Sequence, residues 1–93
     1  MSIEKNDIVT LVTFAGEFVG KFVSKENGLI ELDDPRMVVQ GPEGQMGFAR
    51  GICQTGEENP TNAVFESCVF VTLANKQVTD AYREHTSGLV IPS

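Results

Sequence analysis

Asn27-Gly28 is the feature that most constrains this chain. Both residues accept the positive φ values of a type I′ turn, and a two-residue turn of that kind joins antiparallel neighbours in one fixed register. The flanking runs suit it. Residues 17–24 (EFVGKFVS) are β-branched and aromatic, interrupted only by Gly20, where a sheet must bend or another backbone must come close. Downstream, Ile30 and Leu32 alternate with Glu31 and Asp33, which gives one buried and one wet face. Asp34-Pro35 then breaks the ladder, and residues 36–40 resume it, so residues 29–40 read as one kinked strand. A second turn, Ala15-Gly16, precedes this pair and is itself preceded by IVTLVTF at residues 8–14, a further strand.

Beyond residue 40 the pattern changes. Residues 41–62 hold five glycines, two prolines and the acids Glu57-Glu58 around one apolar piece at residues 46–53, which predicts a fourth strand over 45–66 that carries a long hairpin excursion. Residues 63–74 (AVFESCVFVTLA) have apolar side chains in both alternation classes, so the fifth strand, 68–74, is expected to be covered on both faces. Residues 76–86 then place Val78, Ala81, Tyr82 and His85 at helical spacing behind Asn75 as N-cap, with Gly88 as the stop. The fold class read from this order is all-β with one short C-terminal helix, a single domain over 1–93.

A chain of 93 residues buries roughly 60 to 70% of the surface its unfolded form exposes, enough for a core but with little margin. Such a domain seldom covers both faces of an apolar strand by itself, and another copy is the cheapest cover. Thirteen acids against seven Lys and Arg give a net charge of -6, which argues against a protein that coats duplex DNA. Without an apolar run of membrane-spanning length or a basic-then-apolar leader, the chain reads as soluble and cytoplasmic, with no membrane partner. Cys53 and Cys68 lack a C-x-x-C spacing or a neighbouring histidine, so they read as reduced thiols and not as zinc ligands.

Catalysis finds little support. The one histidine, His85, lies on the helix's apolar stripe, where partial burial explains it better than a role as base or ligand. Asp33-Asp34 cannot share an ion through side chains that leave a strand on opposite faces, and reads as a solvated turn. Residues 42–47 (PEGQMG) lack the Gly-Lys-Ser/Thr ending of a phosphate loop. Arg36 and Arg50 are isolated cations that suit an intersubunit carboxylate or a phosphate. No enzymatic activity, metal or cofactor is expected.

The order of Val9 and Leu11, Ala15-Gly16, Val19-Gly20 and Phe22, Glu26-Asn27, then Ile30 and Leu32 resembles the first motif of Sm and Sm-like proteins. The chain is also similar to small Sm-like proteins of marine tailed phages, which share the kinked Pro-Arg strand and the terminal helix. The resemblance implies a strongly bent five-stranded antiparallel barrel whose fourth and fifth strands pair with neighbouring copies. It implies a homo-oligomeric ring of roughly five to seven copies. Val64, Phe65, Val69, Val71 and Leu73 would form the interface. It also implies single-stranded RNA at the pore rim, in RNA processing or regulation. Lys25 would meet a phosphate, Asn27 a base edge, and Ser67 would stand at the second turn beside Glu66, which repels phosphate. Gly28 takes the place of the family's stacking side chain. The competing expectation is a structural or adaptor ring that contacts protein partners.

Overall fold

The structure, a computed structural model, describes residues 3–49, 52–58 and 60–87. Arg50 and the expected helix stop Gly88 lie outside them. Six antiparallel strands precede one helix: β1 (Ile8–Thr13), β2 (Gly16–Glu26), β3 (Leu29–Gln40), β4 (Met46–Phe48), β5 (Ala63–Phe65), β6 (Phe70–Leu73) and α1 (Lys76–Thr86). Hydrogen-bonded order runs β4-β3-β2-β1-β6, with β5 paired to β3, and the path stays open.

The turns explain the register. Asn27 and Gly28 both hold positive φ, 53° and 80°, and lock Glu26 opposite Leu29. At the first turn the Thr13 hydroxyl accepts from the Ala15 and Gly16 amides and donates to the Gly16 carbonyl, a compact clamp that leaves Phe14 94% exposed. Between β2 and β3 the register shifts from Val19↔Arg36 to Lys21↔Asp33, so Asp34 and Pro35 together face Gly20 in a bulge. A Cβ on Gly20 would stand 3.0 Å from the Pro35 Cα, which makes it the close approach the sequence pattern asks for.

Two small cores form because β1 and β2 are apolar on both faces. Val9, Leu11, Phe18, Ile30 and Leu32 fill one, joined by Phe22, Met37, Phe65, Cys68 and Val71. Ile8, Val19 and the fully buried Tyr82 fill the other, with Val38, Phe48, Ala74 and Val78. Helix α1 supplies the cover for this second face. Its N-cap is Asn75, whose side-chain oxygen accepts from the Val78 amide at 2.8 Å.

The expected fourth strand over 45–66 is two separate pieces. β4 and β5 both pair with β3, at residues 38–40 and 30–32, and the glycine- and proline-rich stretch between them forms no ladder among the described residues. The fifth strand is shorter than 68–74, and the cover expected on both of its faces is absent in the single chain. Val71 turns toward the core, whereas Val69, Phe70 and Leu73 stay about half exposed, since only one side of β6 meets β1.

Candidate functional site

The residues expected at a nucleic-acid rim sit around Val64, the centre of β5. Ser24, Glu31 and Val64 form one cross-strand row through β2, β3 and β5. With Asn27, Leu29 and Glu26 they line a shallow depression on the outer face of the sheet. Val64 also borders a second depression, which reaches Phe14, Phe18, Phe65, Glu66 and Ser67. The structure thus brings the turns of Asn27 and Ser67 to either side of one strand, as two adjoining hollows. Lys25 does not join them. It lines another hollow with Ile3, Phe22 and Val71, because the register shift between Phe22 and Ser24 changes which face each later residue of β2 takes.

Among the described residues the charges around Val64 have one sign: Glu26, Glu31 and Glu66 border the two hollows, and no described Lys, Arg or His lines either one. A phosphate entering the first hollow meets Glu26 and Glu31, and one entering the second meets Glu66, so phosphate recognition through Lys25 and Asn27 as a pair has no geometric support.

β5 itself is an edge. Its one ladder is to β3, so the alternate backbone N–H and C=O groups of residues 63–65 that face away from β3 pair with no strand among the described residues. Val64 is 54% exposed at this edge, while Phe65 turns inward and packs its ring 5.1 Å from that of Phe18. Of the five residues expected at an interface, Phe65 and Val71 are therefore core residues, and Val64, Val69 and Leu73 are exposed.

Two further expectations change. Arg36 is buried and already paired: its guanidinium donates to the Asp34 carboxylate at 3.1 and 3.2 Å and lies 3.5 Å from the His85 Nε2. It is a structural cation and is unavailable to a phosphate or a second copy. Asp33-Asp34 is correspondingly no solvated turn, for the carbonyl oxygens of both accept from the buried Tyr82 hydroxyl. His85 packs its ring 5.5 Å from Phe48 and shares a hollow with Ala81 and Glu84. Among the described residues no group of three or more His, Cys, Asp or Glu stands close enough to hold a metal ion. No described helix is long and apolar enough to cross a membrane.

Sequence reasoning missed the carboxylate arrangement because the β2–β3 hairpin groups Glu26 with Glu31, but only the β3–β5 ladder brings the segment of Glu66 beside them. The signal was the alternation of Glu31 with Ile30 and Leu32, which already placed that acid on the wet face. Comparison with known proteins finds no family model, no curated protein and no solved structure that matches this chain.

Proposed function

We propose that the protein is a self-assembling adaptor of Sm-like type, a bent β-module whose copies join edge to edge into a ring and present a binding surface to protein partners. The observation that carries this reading is the outer edge of β6. It is unpaired among the described residues, and it carries Phe70 and Leu73, which with Val69 just before the strand are about half exposed. An exposed apolar edge of this kind recruits another strand unless something blunts it, and β6 holds no charge or proline. The other end of the sheet path is β4, with Met46 and Val39 exposed beside it. Pairing of β6 with the β4 edge of the next copy joins two unlike surfaces, the kind of contact a cyclic assembly requires, and the Sm-like resemblance implies about five to seven copies.

A barrel is consistent with the bends already described. β1 is hydrogen-bonded on both sides, to β2 and β6, and the two register shifts in the β2–β3 ladder are places where a sheet can bend, as closure would require. RNA binding has one observation in its favour, the placement of Asn27 and Ser67 on either side of Val64. The three carboxylates around them favour the adaptor. Light scattering tests the assembly: a mass of several times 10.1 kDa supports it, and a mass of one chain at micromolar concentration overturns it.

A further inference from the structure

We propose that the outer edge of β5 accepts an extended peptide segment in which basic and apolar side chains alternate. This deepens the adaptor reading, rests on it, and names the class of partner. A strand laid along residues 63–65 would bond to the backbone groups that face away from β3, and its successive side chains would fall on opposite faces of the sheet. The two faces offer different chemistry. On the outer side the strand meets Glu31 and Glu26 beside Leu29, where a lysine or arginine gains from the carboxylates while its stem lies on apolar surface. On the other side it meets Phe14, Phe18 and Phe65, which suit a valine, leucine or phenylalanine, with Glu66 at the rim.

Charge complementarity selects this occupant over the alternatives. A second copy of a chain with net charge -6 brings more repulsion to a carboxylate-lined edge, and a nucleic acid brings a phosphate to it. Phe14 adds an exposed aromatic ring on a turn whose backbone the Thr13 hydroxyl holds, so that the turn itself needs no ordering when a partner docks. β4, the edge assigned to assembly, pairs with a different stretch of β3, so β5 stays open within the ring.

Fluorescence anisotropy on the full chain tests this with a short labelled peptide that alternates lysine with valine. A glutamate–valine peptide of equal length and a lysine–valine peptide N-methylated on alternate amides serve as controls. The lysine peptide is expected to bind, to weaken as salt rises, and to lose binding on N-methylation. Glu26→Lys with Glu31→Lys should weaken it roughly five- to tenfold, because each exposed charge pair contributes only modestly. Phe14→Ser, at a fully exposed position that leaves the core intact, should weaken it without changing the melting temperature. Equal binding of the two charge types, or indifference to N-methylation, overturns the proposal, as does preferential binding of uridine- or adenine-rich RNA at the same site. Light scattering on the same samples separates the two readings: a single-chain mass with the peptide bound sinks the assembly alone, and a ring that binds no peptide sinks the groove alone.

Discussion

The Tyr82 hydroxyl donates to the Asp34 carbonyl oxygen at 2.5 Å, and this bond fastens helix α1 to the bulge of β3. Asp34 holds a left-handed φ of 52°, a conformation that a non-glycine residue keeps only where its surroundings enforce it. The enforcement comes from both ends of the residue, with the carbonyl held by Tyr82 and the carboxylate by Arg36.

Removing that hydroxyl leaves the carbonyls of Asp33 and Asp34 short of a donor in a buried place. Tyr82→Phe should therefore lower unfolding free energy by about 1 to 2 kcal/mol with the helix intact, as read by urea denaturation and circular dichroism. Loss of helix signal in the folded variant would show that the bond shapes α1 and does more than dock it.

Tyr82 also makes the fold sensitive to alkali. Burial, and then the nearby Asp34 charge, push its hydroxyl well above the ordinary tyrosine value of 10.0. The unfolded chain releases this proton near pH 10 while the native chain keeps it, so the native state binds more protons above that pH and stability falls as pH rises. The contribution is complete below pH 10 and is lost above it. Because the chain has one tyrosine and no tryptophan, absorbance of the tyrosinate reports this group alone. Ionisation should coincide with unfolding, and Tyr82→Phe should flatten the alkaline limb of the stability profile. Ionisation of a chain that remains folded would place the hydroxyl nearer water than this structure does.

Asp34 supports a sharper comparison. Asparagine tolerates the left-handed region and keeps an oxygen toward Arg36, whereas alanine does neither. Asp34→Ala should cost about 1 to 2 kcal/mol more than Asp34→Asn, since it leaves a buried guanidinium without its acceptor. Equal losses in the two variants would mean that the pair contributes nothing beyond the backbone.

Opposite the same bulge, Gly20→Ala would place a methyl group 3.0 Å from the Pro35 Cα and 3.3 Å from the Leu32 Cδ1. Backbone cannot give way as a side-chain tip does, so an overpacking loss of about 1 to 3 kcal/mol is expected from denaturant titration. A neutral result would show that the bulge opens freely.

These residues also mark where sequence reading succeeds and where it stops. Asn27-Gly28 and Asn75 were legible because each acts through backbone preferences within a few positions of itself, and Gly20 because a glycine inside a β-branched run marks a close approach even when the neighbour, Pro35, is not yet known. Arg36 was misread because the carboxylate of Asp34 and the His85 ring, on a helix far along the chain, meet it only in the fold, and nothing in a periodicity reports which strand a helix will cover. The same holds for β5. Its three residues looked like the end of one long strand, and only the β3 ladder shows that they form an edge flanked by carboxylates.

The outer edge of β6 yields the test of assembly that is least confounded by folding. Val71 packs into the core, so a lysine there would unfold the chain and report nothing about copies. Val69 and Leu73 are about half exposed in the single chain and become buried only if a neighbour's strand lies against them. A lysine at either position should leave the melting transition of the isolated chain nearly unchanged. In an assembled edge the same charge loses its water, at about several kcal/mol for an unpaired ammonium, enough to dissociate a ring held by short strands. Val69→Lys and Leu73→Lys should each reduce the scattering mass to 10.1 kDa while the β-sheet signal persists. Assembly that survives both substitutions would move the interface away from β6, and Met46→Lys on the opposite edge would then be the next variant to measure.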